Sequence, residues 1–447
     1  MGTHDELGIQ LSTSDVQHRP RRILSSGFTL AAVIGGTIGL GILRTPGEVA
    51  TVVTSPWMFV SLWVLGGLTS LLVAVVYAEL IGMTPRSGGT YALVRRAYGP
   101  FPGFVIGWVD WLSFVGDIAL KAVVVVEFAA MLYPATRLWQ TPLAIMVSSV
   151  FAALQLRGIA LGAKIQQVAA AALALIVVGF TLALVFAEST VGDATSVPAT
   201  VTGLGAWSLV FASIIYTYDG WDYPAYFGGE IKGGGGAVAR TLIKGVVVLT
   251  LLYVFLAAAL AFKVPLASLA GKELALASAL EMAVSPLAST VVLVVAIVML
   301  LAHQNLMYMS TPRILQAMAV DGLFVRRAGK ISKGGNPIFA VVLSWGFSVG
   351  LILIGGFHFL LHLLIFFSLG ITVVLIAGVL ILRVRQPDAD RPYRAWGHPW
   401  TTYSCLILCI LFTLFQTVAE IYTAAYATVF VAISWPVYRF LVRTRPN

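Results

Sequence analysis

Residues Ile34-Gly35-Gly36-Thr37-Ile38-Gly39-Leu40-Gly41 and Tyr216-Thr217-Tyr218-Asp219-Gly220-Trp221 each interrupt a hydrophobic segment with glycine. Lipid cannot hydrogen-bond to free N–H and C=O groups. A helix inside a membrane is therefore broken only where these groups line a cavity or meet a ligand. The two interruptions lie at matching points of a predicted internal repeat, and paired breaks of this kind indicate a binding site between two repeats.

The composition is that of an integral membrane protein. Of the 447 residues, 59% are hydrophobic and 11% are charged, and the mean hydropathy is +0.93. Soluble domains carry about 25% charged residues. A span needs about 20 apolar residues. We predict an all-α protein with twelve transmembrane helices, at 25–53, 56–83, 103–133, 141–156, 165–187, 206–230, 240–262, 284–317, 338–356, 359–382, 401–420 and 422–441.

Nearly all basic residues fall in alternate connections between these segments, for example Arg86, Arg95 and Arg96 after the second segment. The positive-inside rule then places both termini in the cytoplasm, which agrees with an even number of spans. The net charge of +9 therefore reflects topology, and we expect no nucleic-acid partner. The polar residues 1–24 are predicted to form a cytoplasmic tail, because they lack the apolar region of a signal peptide.

The spans are predicted to form two halves, 25–187 (spans 1–5) and 206–382 (spans 6–10), followed by spans 11 and 12 at 401–441. An odd number of spans per half inverts the second half relative to the first. The broken spans, 1 and 6, then open the two halves and meet at their interface.

The broken backbone suits a small zwitterion. A half-helix that begins near Gly41 offers free N–H groups and the positive end of a helix dipole to a carboxylate. The half-helix ends near Thr37 and Asp219 offer carbonyl oxygens to an ammonium group. In the alternative interpretation, the glycines only allow helices to pack closely.

Five motifs along the chain resemble, in the same order, those of the amino acid–polyamine–organocation (APC) superfamily. One of them, Asp219-Gly220-Trp221 with Glu230, resembles the L-type amino acid transporter branch of that superfamily. The motifs are Gly39-Leu40-Gly41-Ile42-Leu43-Arg44-Thr45-Pro46-Gly47; Ala78-Glu79-Leu80-Ile81 through Pro85-Arg86-Ser87-Gly88-Gly89-Thr90-Tyr91 to Tyr98-Gly99-Pro100; Asp219-Gly220-Trp221 with Glu230; Asn305 with Arg313, Ala319, Asp321 and Gly322; and Arg391-Pro392-Tyr393-Arg394 with Gly397 and Pro399.

The resemblance implies a LeuT-like 5+5 inverted repeat with helices 1 and 6 broken. It also implies a permease of the inner (plasma) membrane that moves an amino acid without a cofactor. The implied substrate-binding residues are Thr37, Ile38, Gly39, Leu40, Gly41, Tyr216, Tyr218, Asp219, Gly220 and Trp221. Two positions depart from the family. Leu40 stands where a serine is frequent, and Leu173 stands where many sodium-independent members carry a lysine.

Asp110, Asp117 and Lys121 of span 3 fall within about 40° of one another on a helical projection. A charge at mid-membrane costs roughly 2.5–3.5 kcal/mol, so Asp117 should face the bundle. Lys121, four residues on, is its predicted partner. The pair either replaces the missing lysine in proton coupling or is a static ion pair. Asp222 and His303 are further coupling candidates.

The aromatic residues Tyr216, Tyr218 and Trp221, without an evident acidic cluster, favour a neutral amino acid as substrate. A polyamine or a cationic amino acid is the second candidate. An enzyme is disfavoured because the sequence lacks HExxH, GxSxG and P-loop motifs. A channel is disfavoured because no repeated filter motif occurs. We expect no metal site, although His358 and His362 have suitable spacing, and no obligatory partner subunit.

Overall fold

The computed structural model describes residues 22–190, 203–355, 357–419 and 421–443. Almost all of the predicted tail at 1–24 lies outside these ranges. Within them the protein is helical, and its only extended pairings are two isolated bridges, Leu24 with Ile231 and Ser87 with Phe227.

Sixteen α-helices make up the described part, together with short 3₁₀ turns. They are α1 (Ser26–Thr37), α2 (Leu40–Ala50), α3 (Pro56–Met83), α4 (Gly89–Tyr98), α5 (Pro100–Leu132), α6 (Gln140–Leu156), α7 (Ile159–Phe186), α8 (Leu204–Thr217), α9 (Gly234–Lys263), α10 (Leu266–Leu269), α11 (Ala275–Ala283), α12 (Leu287–Val320), α13 (Ile338–Ile354), α14 (Phe357–Arg385), α15 (Trp400–Ala419) and α16 (Ile421–Arg443).

Nine helical segments of the described chain are long and apolar enough to cross a membrane, counting α1 with α2 as one. Helices α8 and α13 are apolar but shorter, and α5 carries four charged residues along its 33-residue length. Each of the twelve predicted segments overlaps one of these helices. The all-helical, multi-pass architecture expected from composition is therefore present.

The first predicted span is interrupted after Thr37. Helix α1 begins at a Ser25 cap, whose hydroxyl accepts a hydrogen bond from the Phe28 N–H at 3.2 Å. It ends at Thr37, and α2 begins at Leu40. Ile38 and Gly39 between them have extended backbone, and the Ile38 N–H closes α1 by donating to the Ile34 carbonyl at 2.8 Å.

The sixth predicted span, 206–230, is α-helical only in its first part. Helix α8 ends at Thr217, and Gly220 then adopts a positive φ of 95°. The remainder holds only a 3₁₀ turn at Tyr223–Tyr226. Pro224 at the start of that turn lacks the N–H that a longer helix would use. The part of the predicted span that follows Gly220 is therefore not α-helical.

Helices that are five spans apart in the chain pack against each other. Contacts join α2 to α8, α3 to α9, α5 to α12 and α6 to α13, which are spans 1 and 6, 2 and 7, 3 and 8, and 4 and 9. Helices α1 and α2 form the centre, because 72% of the residues in their most apolar stretch are buried. The corresponding value is 17% for α15, so the last helices lie at the periphery.

Helix α4 was not predicted, because its sequence reads as a polar loop. It packs along α5 and α14, and it carries Tyr91 and Arg95. The Asp321 carboxylate accepts from the Tyr91 hydroxyl at 2.9 Å and pairs with Arg86 and Arg95, each at 2.9 Å. Burial, next to the Asp321 carboxylate, raises the pKa of Tyr91, which keeps the phenol protonated as a donor.

Two further carboxylates are bound by arginine. Glu230 forms a bidentate pair with Arg313, with N–O distances of 2.6 and 2.9 Å, and both side chains are at least 95% buried. Glu79 accepts from Arg383 at 2.8 and 2.6 Å and from Arg391 at 3.2 Å. We refer to these two groups, and to Asp321 with its partners, as the three ion clusters. They bind the ends of α3, α12 and α14 to neighbouring loops.

We predict that Gly36→Ala destabilises the protein, because the added Cβ would lie 2.4 Å from the Gly220 carbonyl oxygen and 2.5 Å from Tyr223. Overpacking of this kind costs about 1–3 kcal/mol. The matched control is Gly346→Ala in α13, where a Cβ meets open space. Thermal unfolding in detergent should give a lower Tm for Gly36→Ala alone; equal Tm values would contradict the close approach.

Candidate functional site

A cavity of about 180 Å³ lies where the two interrupted segments meet α3, α5, α12 and α14. Most of the residues predicted from the sequence line it. They are Thr37, Gly39, Leu40, Gly41, Tyr216, Asp219, Gly220 and Trp221, together with the coupling candidates Asp117, Lys121, Asp222 and His303. The structure therefore brings together two stretches that are almost 180 residues apart in the chain.

Two predicted binding residues are placed differently. Ile38 is fully buried in the apolar core and is absent from the cavity lining. The Tyr218 hydroxyl donates to the Trp63 carbonyl at 2.9 Å. Its ring lines a neighbouring cavity of about 100 Å³ that also borders α15. Thr37 and Gly39 line the cavity, and the extended backbone at Ile38 between them turns its side chain to the opposite side.

The start of α2 presents unsatisfied backbone donors to the cavity. Gly39 is the N-cap residue, and no side chain caps this helix end. The first N–H groups of a helix have no intrahelical partner, and the positive end of the dipole favours an anion there. Gly39 also leaves space: a Cβ added to it would have the Thr37 oxygen as its nearest neighbour, at 3.9 Å.

The carbonyl groups at the other helix ends are partly engaged. The Thr37 carbonyl accepts from the Tyr253 hydroxyl at 3.0 Å, so the expectation that it is entirely free was wrong. After α8, the Tyr216 carbonyl accepts from the Asp219 N–H at 3.2 Å, and the Tyr218 carbonyl accepts from Ser70 at 3.4 Å. A carbonyl oxygen has two lone pairs, so each can still accept a second donor.

Glycines in the first segment allow the two interrupted segments to touch. A Cβ on Gly36 would meet the Gly220 carbonyl, and one on Gly41 would lie 2.6 Å from the Thr217 hydroxyl. Next to this contact, the Thr45 and Thr217 hydroxyls lie 2.7 Å apart. The close-packing interpretation therefore holds for Gly36 and Gly41. All three glycines line the cavity, but among them only Gly39 has open space where a Cβ would stand.

Three of the four charged residues of α5, Asp110, Asp117 and Lys121, form one stripe along the cavity wall, as predicted. Lys121 Nζ lies 2.6 Å from Asp117 Oδ2, which confirms the ion pair. Asp110, seven residues before Asp117, accepts from the Thr90 hydroxyl at 2.5 Å and from the Tyr226 hydroxyl at 3.0 Å. The stripe thus contains one paired carboxylate and one that is bound by hydroxyl groups.

The other polar groups of the wall have mostly neutral partners. Asp219 accepts from the Ser368 hydroxyl at 3.0 Å. His303 is buried, and its Nε2 lies 2.9 Å from the Tyr223 hydroxyl. The Tyr77 ring packs edge-on against Trp221, with ring centroids 5.4 Å apart. These contacts connect the sixth segment to α3, α12 and α14, which surround the cavity.

Several lining residues were not predicted as part of the site, and most gave a weak signal. Asp110 shares the helical stripe with Asp117, so periodicity alone could have included it. Tyr226 follows Asp222 by four residues, but the missing helix there removes the periodic argument. Ser368 is a single hydroxyl within an apolar span and carries no signal. The remaining unpredicted polar or aromatic lining residues are Tyr77, Thr90, Ser113, Phe114, Thr217, Tyr223 and Thr372.

A metal site has no support in the described part of the chain, which holds no group of three or more His, Cys, Asp or Glu residues suited to an ion. The side chains of His358 and His362 lie outside the described residues. The two cysteines, Cys405 and Cys409, are free thiols.

Comparison with known proteins gives one family and several relatives. The family model described as "Amino acid permease" matches residues 26–438. The chain is 24% identical over 426 residues to the branched-chain amino acid permease BcaP of Bacillus subtilis, covering 90% of each protein. It is 28% identical over 243 residues to the mouse b(0,+)-type amino acid transporter 1, and 24% identical over 233 residues to the Bacillus subtilis serine/threonine exchanger SteT.

The last two alignments cover about half of this chain, 52% and 51%, and about half of each relative, 49% and 52%. The mouse relative and the two bacterial relatives are all named as transporters, exchangers or permeases of amino acids.

Because Gly39 faces open space, we predict that Gly39→Ala folds normally but weakens ligand binding, since its methyl group would occupy the start of α2. A loss of about tenfold in affinity, or about 1.4 kcal/mol, should appear as a smaller thermal stabilisation by amino acids. Gly179→Ala in α7, where a Cβ also meets open space, is the control. Unchanged stabilisation of Gly39→Ala would show that ligands do not reach this helix end.

Proposed function

Because the chain belongs to the amino acid permease family of the APC superfamily, we propose that it is a secondary active transporter of an α-amino acid. It works by alternating access in the plasma membrane, either by proton symport or by exchange. The protein is a multi-pass membrane transporter and not an enzyme, as the family and its named relatives indicate. One observation carries the proposal: the cavity lies where both helix interruptions meet.

The proposed architecture is a LeuT-like 5+5 inverted repeat of twelve spans, with 25–187 and 206–382 as its halves and 401–441 appended. The packing of spans 1 with 6, 2 with 7, 3 with 8 and 4 with 9 supports it, because equivalent spans of an inverted repeat meet around a common axis. The distribution of basic residues supports cytoplasmic termini. No partner subunit is required by this proposal.

The substrate is held by its two invariant groups. Its carboxylate accepts hydrogen bonds from the free N–H groups at Gly39–Gly41, where no side chain caps the helix. Its ammonium group donates to carbonyl oxygens near Thr37 and after Thr217. Leu40 offers no hydroxyl at this position, so recognition of the carboxylate relies on the backbone alone.

The side chain of the substrate can be neutral or cationic. A neutral side chain, the class predicted from the sequence, is supported by the aromatic lining residues Tyr216 and Trp221. A cationic amino acid or polyamine, carried by antiport, is supported by four carboxylates that line the same cavity. No acidic cluster was expected from the sequence, because these carboxylates lie on two separate segments.

The Asp117–Lys121 pair is our candidate for coupling transport to protons. Both residues face the cavity and are bonded to each other, so a proton or a substrate charge that reaches one of them alters the other. The position of the family's frequent lysine is held by Leu173, which is fully buried in an apolar environment. The cavity-facing Lys121 is the basic group available to replace it. Asp222 and His303 are the next candidates.

We expect the purified protein, reconstituted in proteoliposomes, to take up amino acids with saturation and with preference for the L-enantiomer. The substrate carboxylate and ammonium groups must reach the backbone N–H groups and the carbonyl oxygens at the same time. This requirement makes uptake stereospecific. Preloading with unlabelled substrate distinguishes exchange from symport. Uptake that does not saturate, or that ignores chirality, would contradict a transporter of this kind.

Lys121→Met should abolish the pH dependence of uptake and lower its rate, because Asp117 loses its cationic partner. Breaking a buried ion pair by removing one partner costs about 3–5 kcal/mol, so folding is checked by thermal unfolding. The matched control is Lys263→Met, since Lys263 Nζ donates to the Ala187 carbonyl at 2.8 Å and lies away from the cavity. If Lys121→Met takes up substrate at the wild-type rate and with the wild-type pH dependence, the Asp117–Lys121 pair is a static ion pair and does not couple transport to protons.

A further inference from the structure

The neighbouring cavity, of about 100 Å³, adjoins the candidate substrate site. It lies near the middle of α3, α14 and α15 and beside the last turn of α8. Six residues line both cavities, so the two cavities share a wall; these residues are Val73, Tyr216, Asp219, Trp221, Ser368 and Thr372. The neighbouring cavity is therefore continuous with the surface that a bound substrate would contact.

The side chains of the shared wall are not equally constrained. The Asp219 carboxylate accepts from the Ser368 hydroxyl, which joins the end of α8 to α14. Trp221 is buried and packs against the Tyr77 ring. The Tyr216 side chain is 37% exposed, and exposed side chains change rotamer within nanoseconds. The Tyr216 ring is therefore the part of the wall that can turn aside and connect the two cavities.

The two cavities differ in polarity. The substrate site has four carboxylates and the Lys121 ammonium group on its wall. Beyond the shared wall, the lining of the neighbouring cavity is mostly apolar, and it includes Ala212, Ile215, Leu369, Leu408, Cys409 and Phe412. Among its polar groups, the Ser70 and Tyr218 hydroxyls already donate to backbone carbonyls. A ligand that is charged at one end and apolar at the other matches this pair of cavities.

An α-amino acid with an extended apolar side chain is a ligand of this kind. In the proposed binding mode, its carboxylate and ammonium groups are held by the backbone of the two interrupted segments. An apolar side chain that stays in the substrate site lies beside charged groups such as Asp117 and Lys121. In the neighbouring cavity, the same side chain contacts apolar residues of α8, α14 and α15. Each methylene group that leaves water there adds to the affinity.

We propose that the neighbouring cavity is the subsite for the distal part of an apolar substrate side chain, and that Cys409 and Phe412 of α15 set the longest side chain that it accepts. This inference rests on the proposed function and narrows its substrate class to α-amino acids with extended apolar side chains. Helix α15, which lies outside the two predicted repeats, thereby contributes to substrate specificity.

The test compares L-alanine, L-norvaline and L-norleucine, whose unbranched side chains differ only in length. Affinities are measured from the thermal stabilisation of the purified wild-type protein, because a bound ligand raises apparent stability. We expect the affinity to rise about fourfold for each methylene group that becomes buried. Equal affinity along the series would overturn the inference and leave the proposed function intact. Stabilisation by no amino acid at all would contradict both.

Two substitutions in α15 change the size of the subsite in opposite directions. Cys409→Phe fills it and should lower the ratio of norleucine to alanine affinity by about tenfold. Phe412→Ala enlarges it and should favour L-2-aminooctanoate, a longer homologue, over norleucine. Ile407→Phe, at a 57% exposed position of the same helix, is the control and should keep the wild-type ratio. The Tm of each variant without ligand reports its folding, and wild-type selectivity in both subsite variants would overturn the inference.

Thiol labelling gives a separate readout in the wild-type chain. Cys409 lines the neighbouring cavity, whereas Cys405, the other cysteine, is fully buried. N-ethylmaleimide should label Cys409, and saturating norleucine should slow this labelling by about tenfold while saturating alanine does not. Cys409→Ser gives the background reaction. Equal protection by the two amino acids, or no labelling of Cys409 in the absence of ligand, would contradict a subsite that the substrate side chain enters.

Discussion

The structure depends on a contact between the backbones of the two interrupted segments, at Gly36 near the end of α1 and at Gly220 just after α8. Gly36 and Gly220 approach so closely that neither position can hold a Cβ. In a lipid environment these segments could not be exposed, because their N–H and C=O groups would be unsatisfied. They are stable only when they shield each other and the surrounding helices close around them. The most buried part of the molecule is consequently the one that contains irregular backbone.

The arrangement of helices follows from this constraint. Helices α3 and α9 pack side by side next to the contact between the two interrupted segments. Helices α5 and α12 pack against each other on the other side of that contact. The cavity remains because Gly39 contributes no side chain and because Asp110, Asp117, Asp219 and Asp222 keep part of the wall polar. Of the peripheral helices, α15 packs against α3 and α8, whereas α16 packs against α5 and α14.

The sequence predicted the helical architecture, the two interruptions and twelve of the cavity residues, because these leave local signals in composition, glycine placement and helical periodicity. It did not predict helix α4, which is polar and is stabilised by contacts of Tyr91 and Arg95 with the distant Asp321. It also missed the acidic character of the cavity. Asp110 and Asp222 are separated by more than a hundred residues, and only the fold places them on one wall. The loss of helix after Thr217 comes from Gly220, with its positive φ, and from Pro224, which has no N–H, and the apolar pattern of the span does not reveal it.

The three ion clusters bear on how natural variation in this chain should be interpreted. The residues that carry the family motifs outside the cavity, among them Glu79, Glu230 and Arg313, hold loops and helix ends together. A variant at one of these positions could abolish activity without touching any ligand. Loss of function there is evidence of a weakened scaffold, and only variants along the cavity wall report on specificity.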